Sequence, residues 1–239
     1  MKKTTPFPTF ATLLCAAFVA TAPALHAQSS CSSDGQTAPV ALLDRVINAD
    51  CEACWSDPAT PRPTHGQLAL DWIAPGSQGA DAPLSAAATR DTLARLQALG
   101  QPVPAQAASW RHAARAQAGG RLRVAHGLPF AGYIGASIGL QPARVRPGAE
   151  LTAWLALVET IPAGTEGTPV ERNMVRNLLL SPWNGDSLLS NKGNKRFFES
   201  RPMGVPEGAN PDRLRVVGWV QDTKGRITHI AQSRCAPPG

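Results

Sequence analysis

The sequence lacks the motifs by which several classes of enzyme are recognised. Its 239 residues contain no H-E-x-x-H zinc site, no phosphate-binding loop and no paired-carboxylate motif. Zinc-hydrolase and nucleotide-binding functions therefore have no support, and we expect no cofactor. After the first 27 residues no apolar run reaches the roughly 18 residues that a membrane helix needs. We therefore expect no transmembrane segment in the mature chain.

The N-terminus has the three parts of a secretory signal peptide. Residues 1–3 include two lysines, residues 10–20 are apolar but too few to span a bilayer, and residues 24–27 offer small side chains for cleavage. We predict a signal peptide at 1–27 that is cleaved after Ala27. The mature protein should then be periplasmic or secreted.

Strong charge of either sign is also missing. The full chain has 23 basic and 17 acidic residues, a net charge of +6. Two lysines leave with the signal peptide, so the mature chain carries 21 − 17 = +4. This charge is mild and comes mainly from scattered arginines, so nucleic acid is not an expected partner.

Four cysteines remain after cleavage: Cys31, Cys51, Cys54 and Cys235. An even number of cysteines in an exported chain indicates disulfides, and four allow three pairings. We predict Cys51–Cys54 and Cys31–Cys235. The second bond would join the two ends of the mature chain and would stabilise it by at most roughly 5 kcal/mol. In the alternative, Cys31 stays unpaired in a loose, serine-rich leader.

The C-x-x-C of Cys51 and Cys54 is the candidate functional site. Two thiols at this spacing form a small disulfide ring or offer two of the four ligands that zinc prefers. Zinc would need two more ligands, and the mature histidines show no H-x₃₋₅-H spacing. These are His65, His112, His126 and His229. We therefore expect no metal.

Hydrophobic patterns predict alternating strands and helices. Strands are predicted at 40–47, 68–74, 122–126, 133–140 and 151–160, with a closing hairpin at 214–221 and 227–233. Helices are predicted at 85–99, 105–118 and 168–179, the first ending at Gly100 and the last beginning with a capping box. Residues 181–211, rich in Gly, Asn, Ser and Pro, are predicted to be a loop.

This order resembles the thioredoxin-like superfamily, in particular exported bacterial members with a β-rich tail. The resemblance lies in the strand before Cys51 and Cys54, in the D-W-I run at 71–73 and in the V-V-G-W-V-Q-D run at 216–222. It implies an α/β (α+β) fold, with a thioredoxin-like domain at 28–130 and a β-rich C-terminal domain at 131–239.

The resemblance also implies roles for individual residues. Cys51 would attack a target disulfide and Cys54 would resolve the mixed disulfide. Pro129 and Trp55 would line a substrate groove, since a proline, often cis, faces the cysteine pair in such folds.

The chain departs from the superfamily pattern around the cysteines. Asp50 and Glu52 flank Cys51, and prolines 58, 61 and 63 limit the following helix. Negative neighbours disfavour a thiolate at Cys51, which favours a persistent disulfide. Two functions stay open. One is non-catalytic binding or envelope scaffolding, with other exported proteins as partners; the alternative is a thiol-disulfide oxidoreductase that uses Cys51 and Cys54.

Two groups of basic residues are further candidates for binding. Arg172 and Arg176 lie one turn apart on the predicted third helix and could grip a carboxylate or phosphate, or could simply be solvated. A basic-aromatic cluster in the predicted loop suggests an envelope partner or an anionic lipid surface, or a plain loop. It contains Lys192, Lys195, Arg196, Phe197, Phe198 and Arg201.

Overall fold

The fold is built almost entirely from β-strands. The computed structural model describes residues 31–115, 119–144, 150–191 and 194–235, so the predicted signal peptide lies outside the described residues. The strands are β1 (Cys31–Ser32), β2 (Ala41–Asn48), β3 (Gln67–Ala74), β4 (Ala107–Ala113), β5 (Arg121–His126), β6 (Tyr133–Gln141), β7 (Leu151–Ile161), β8 (Arg172–Trp183), β9 (Leu188–Asn191), β10 (Asn194–Gly204), β11 (Leu214–Asp222), β12 (Ile227–Gln232) and β13 (Arg234–Cys235). The α-helices of this part of the chain are α1 (Glu52–Trp55) and α2 (Arg90–Leu99).

The strands form two sheets. The six-stranded sheet has the order β13-β1-β5-β6-β10-β9, and its neighbouring strands are antiparallel. The seven-stranded sheet has the order β12-β11-β7-β8-β3-β2-β4, and the pairs β2–β3 and β3–β8 are parallel. Each sheet contains strands from both sides of residue 130, the predicted domain boundary.

The two sheets pack face to face around a shared core. Inward side chains of β5 and β6 meet those of β7 and β11, as expected for two half-apolar sheets. The approach is closest at Gly218 of β11, where a Cβ atom would lie 2.5 Å from Val124 and 2.8 Å from Ile138. Only glycine leaves room for the opposite sheet there.

The other face of the seven-stranded sheet is covered by α2. Its buried residues include Leu42, Val46 and Trp72, which pack around Leu96 of the helix. The helix ends as predicted at Gly100, whose φ of +64° is a left-handed conformation that glycine adopts at little cost. No helix in the described ranges is long and apolar enough to cross a bilayer.

The predicted α/β thioredoxin-like fold is wrong, because the structure is predominantly β. Residues 105–118 were expected to be helical, but 107–113 form the edge strand β4 with side chains that alternate between exposed and half-buried. The helix expected at 168–179 is replaced by β8. The Thr168 hydroxyl does not cap a helix, since it donates to the Val170 carbonyl and accepts from Arg172 Nε.

Two further segments differ from expectation. The loop predicted at 181–211 contains β9 and β10, which pair with each other, and β10 also pairs with β6 along eight residues of β6. Cys31 belongs to a short strand between β13 and β5 rather than to a loose leader. The strands predicted at 68–74, 122–126, 133–140 and 151–160 and the closing hairpin are confirmed.

Candidate functional site

The Cys51–Cys54 disulfide lies where β2 leads into α1. Cys51 is the N-cap of this four-residue helix, and its amide donates to the Asn48 carbonyl across 2.9 Å. The two sulfurs are bonded, with Cα atoms 5.4 Å apart, and both residues are half-buried. The ring packs on a small apolar cluster that includes Ile47 and Ile73. The predicted pairing of these cysteines is therefore confirmed.

The carboxylate of Asp50, the residue before Cys51, is bound by the loop that follows β3. It accepts hydrogen bonds from the Ser77 amide at 2.7 Å, the Ser77 hydroxyl at 2.8 Å and the Gln78 amide at 3.2 Å. The hydrogen bond from the Ser77 hydroxyl lowers the pKa of Asp50. Desolvation opposes this effect, and the hydrogen bonds from the Ser77 and Gln78 amides add to it. Gly76 is required for this contact, because a Cβ there would overlap the Asp50 carboxylate. A fixed negative charge therefore stands next to Cys51.

The opposite end of α1 is held by Arg172 of β8. Its Nη2 donates to the carbonyls of Cys54 at 3.2 Å and Trp55 at 2.8 Å. The guanidinium carbon lies 5.1 Å from the centre of the Trp55 ring, a cation-π contact. A cation at the C-terminal end of a helix stabilises its unsatisfied carbonyls. The charge of Arg172 is thus used to hold the disulfide-bearing segment in place.

Arg172 belongs to a buried ion cluster on the same face of the sheet. Asp71 of β3 accepts from Arg172 Nη1 at 3.1 Å, from Arg45 Nη2 at 2.5 Å and from the Asn173 amide at 2.7 Å. All three charged side chains are at most 3% exposed. Burial lowers the pKa of Arg172, whereas the negative charge of Asp71 raises it. The arginine therefore keeps its proton. A buried carboxylate that is fully hydrogen-bonded in this way fixes the positions of both arginines.

A cavity of about 210 Å³ opens between this cluster and the edge strand β4. Cys54 lies in its wall, together with Arg45, Arg172 and Asp57. One of the two cysteines of the disulfide therefore borders this cavity. The wall of the cavity is mixed, because apolar residues such as Val46 and Ile47 line it beside these charged ones.

Neither of the two residues expected in a substrate groove lines this cavity, although Trp55 follows Cys54 directly at the end of α1. The Trp55 indole nitrogen donates to the Glu166 carbonyl across 2.7 Å, which fixes the ring against the loop between β7 and β8. Pro129 lies in the loop between β5 and β6 of the other sheet and is absent from the wall of the cavity beside Cys54. Its peptide bond is trans.

The second predicted disulfide, Cys31–Cys235, is also confirmed and joins β1 to β13. His126 is the partner of Cys31 on the next strand, β5, and its ring lies within 4.8 Å of both sulfurs. Its Nδ1 lies 2.8 Å from the Gly127 carbonyl, while Nε2 is buried without a partner in the described residues. The sulfurs are bonded to each other and so are not free as metal ligands. Burial lowers the pKa of His126.

A second buried ion pair, missed by sequence reasoning, lies under α2. Asp44 of β2 accepts from Arg95 Nε at 3.1 Å and Nη2 at 2.6 Å, and from the Trp72 indole at 2.8 Å. The Arg95 guanidinium also lies 5.0 Å from the centre of the Trp219 ring. The signal that could have revealed both clusters is an aspartate in the middle of an apolar strand, at 44 and at 71, since a buried carboxylate needs a partner.

The basic residues considered for binding lie in different parts of the structure. Arg172 is buried as described, and Arg176, on the same strand, pairs with Glu159 at 2.6 Å. Neither arginine belongs to the exposed anion-binding pair that the predicted helix would have presented. Lys195, Arg196 and Phe198 lie together at a cavity of the six-stranded sheet, whereas Lys192 lies outside the described residues.

Comparison with known proteins gives little further information. No protein-family model matches the chain, and neither does any curated protein sequence. Among solved structures the chain is similar to HBP35 of Porphyromonas gingivalis, with 12% identity and a TM-score of 0.41. That match covers 84% of this chain and 75% of the other. At this similarity no function can be transferred.

Proposed function

We propose that the chain is an exported, non-catalytic binding or scaffolding protein of the cell envelope, in which the Cys51–Cys54 disulfide has a structural role. The observation that carries this proposal is the carboxylate of Asp50, which Ser77 and Gln78 hold next to Cys51. A second negative charge on a Cys51 thiolate would be unfavourable there. A poor thiolate is also a poor leaving group, so the disulfide should persist.

The helix that follows Cys51 supports the same conclusion. In thiol-disulfide enzymes a helix begins at the reactive cysteine, and its aligned amides stabilise the thiolate. Here α1 ends at Trp55 after four residues, and Arg172 binds the carbonyls at its far end. The short helix gives little stabilisation to a thiolate, while its anchoring makes the segment rigid.

Export is supported by the sequence of residues 1–27 and by two disulfides in one chain. Disulfides persist in oxidising compartments and are rare in the cytosol. The partners of such a protein would be other exported molecules.

A thiol-disulfide oxidoreductase is the second candidate, favoured by the half-exposed disulfide beside a cavity. In that case the reduced Cys51 thiolate would attack a target disulfide and release one target thiolate. Cys54 would then attack Cys51, release the second target thiol and restore the Cys51–Cys54 bond. The target would gain the two electrons that the C-x-x-C pair loses.

The labelling of Cys51 distinguishes the two candidates. Protein purified from the periplasm would be reduced and alkylated across a pH range, and mass spectrometry would follow each cysteine separately. We expect Cys51 to label with a midpoint at or above the free-thiol value of about pH 8.5. Asp50→Asn should lower the midpoint, whereas Asp212→Asn, on the exposed turn before β11, should not. A midpoint well below that of a free thiol would establish the oxidoreductase instead.

A further inference from the structure

The outer face of the six-stranded sheet carries a trough along its strand β6. The inward residues of β6 are apolar and buried, as the shared core requires. The outward residues in the middle of β6 are Gly135, Ser137 and Gly139, and Tyr133 and Gln141 face outward at its two ends. Glycine weakens a strand and often marks a place where another group approaches closely. The small outward residues leave a groove between the longer side chains of β5 and β10.

The strand register shows which residues form the two walls of this trough. Arg123 of β5 and Phe198 of β10 are the two partners of Gly139, one on each side. Arg121 is the partner of Gln141, the next outward residue of β6. The Arg196 guanidinium lies 5.0 Å from the centre of the Phe198 ring, a cation-π contact, so the two side chains lie together on one side of the trough. The open cavity between these walls has a volume of about 270 Å³.

The trough is strongly cationic for its size. Arg121, Arg123, Lys195 and Arg196 line it, and no acidic residue does so. Asp34 accepts one hydrogen bond from Arg121 and one from Arg123, each at 2.7 Å. Counting this carboxylate, the net charge is 4 − 1 = +3. Asp34 therefore orients the two guanidinium groups without neutralising the trough.

Ser137 in the floor of the trough does not make this an active site of a hydrolase. Residues 135–139 read G-A-S-I-G, which has the G-x-S-x-G spacing of a nucleophile elbow. That elbow is a sharp turn from a strand into a helix, whereas Ser137 lies in the middle of β6. The trough lining also contains no histidine or carboxylate that could activate the hydroxyl.

We propose that this trough binds a phosphate monoester. This inference deepens the proposed binding function by naming its site and ligand class. Phosphate has up to two negative charges and accepts paired hydrogen bonds from arginine, which suits three surplus cations in a small space. The apolar ring of Phe198 would contact the carbon skeleton that bears the phosphate. Such a group occurs both in soluble phosphate esters and in the headgroup of phosphatidic acid.

The experiment measures binding of glycerol 3-phosphate by calorimetry and co-sedimentation with phosphatidylcholine vesicles that contain phosphatidic acid. Glycerol and pure phosphatidylcholine vesicles are the ligand controls. We expect binding that weakens as salt is added, since exposed charges are screened. Glycerol and the neutral vesicles should not bind.

Two pairs of variants test the location. Gly139→Leu fills the trough without a change of charge, and its Cβ meets only the movable Phe198 ring and a backbone oxygen, at 3.3 and 3.4 Å. Gly135→Leu is the matched control, on the same face of the same strand but outside the cavity lining. Arg196→Gln removes a wall cation, and Arg201→Gln is its exposed control on β10. Each trough variant should weaken binding about tenfold and each control less than about twofold.

The outcomes separate the two sources of phosphate. Binding of glycerol 3-phosphate without vesicle binding would assign a soluble ester, and binding of both probes with loss of both in the trough variants would assign a lipid headgroup. The proposal is overturned if neither probe binds, or if Arg196→Gln binds as the parent does. Arg196→Gln decides the matter if Gly139→Leu does not fold. The labelling of Cys51 concerns the other sheet, so either proposal can fail without the other.

Discussion

Arg172 Nη1 donates to Asp71 Oδ1 across 3.1 Å, and both side chains are almost completely buried. Through this contact β3 holds the arginine that binds the carbonyls of Cys54 and Trp55. The geometry of the disulfide-bearing segment therefore depends on an arginine 118 positions after Cys54 and on the carboxylate that holds this arginine.

Removal of the Asp71 charge should destabilise the protein strongly. Asp71→Asn would leave Arg45 and Arg172 buried near each other without a counter-charge, and loss of one partner from a buried pair costs about 3 to 5 kcal/mol. Urea unfolding would measure the change. Asp222→Asn, which loses a partly exposed pair with Arg226, should cost about 1 kcal/mol or less. Equal effects of the two variants would show that Asp71 is not essential to the fold.

The two disulfides should contribute unequally to stability. Cys31–Cys235 closes a loop with a sequence separation of 204, whereas Cys51–Cys54 closes one of 3. In the loop-entropy description the first stabilises by roughly 5 kcal/mol and the second by about 2 kcal/mol. Urea unfolding of Cys31→Ala/Cys235→Ala and Cys51→Ala/Cys54→Ala would compare them. A larger loss from the second double variant would contradict the prediction.

Stability should fall as the pH drops below about 6.5, partly because of His126. Burial lowers the pKa of His126 from 6.5, so below that pH the unfolded chain binds more protons than the folded one. The contribution is complete above pH 6.5 and is lost as the pH falls towards the lowered value. His126→Gln should flatten the dependence of unfolding free energy on pH in this window. His65→Gln, at an exposed position, should leave the slope as it is.

Gly76 should be intolerant of even one added carbon. In Gly76→Ala the new Cβ would overlap the Asp50 carboxylate and lie 2.6 Å from Asn48 Oδ1, so the loop beside Cys51 must shift. Overpacking of this kind costs about 1 to 3 kcal/mol. Thermal unfolding would detect it, with Gly127→Ala as a control whose Cβ would have no neighbour within 4 Å. Similar stability of the two variants would mean that Asp50 moves freely.

Local patterns in the sequence predicted β2, β3, β5, β6, β7 and the β11–β12 hairpin, and the number and spacing of the cysteines led to both disulfide pairings. The alternation at 133–140 and the apolar run at 151–160 predicted β6 and β7, because half-buried and fully buried strands have those signatures. Proximity of the chain ends predicted Cys31–Cys235. Such inferences need only the residues of one segment, or a simple count of cysteines.

The errors arose where distant residues decide the local structure. Residues 168–179 have a capping box and apolar residues at helical spacing, yet most of them belong to β8, which pairs with β7 along Leu151–Ile161. At the start of this strand Arg172 binds Asp71, 101 positions earlier. Helix propensity takes no account of partners that lie far away in the sequence, so tertiary pairing can override it. The alanines of residues 105–118 predict a helix, but 107–113 complete the sheet edge beside β2. The trough lining on β5, β6 and β10 likewise requires knowledge of strand register.

The Cys31–Cys235 bond makes the described chain a closed ring. A protease that cuts a single surface loop between these cysteines opens the ring but releases no fragment, because both pieces stay covalently attached. In a compartment rich in proteases, such a nicked molecule could keep both sheets assembled, and two cuts would be needed before any piece of the ring separated.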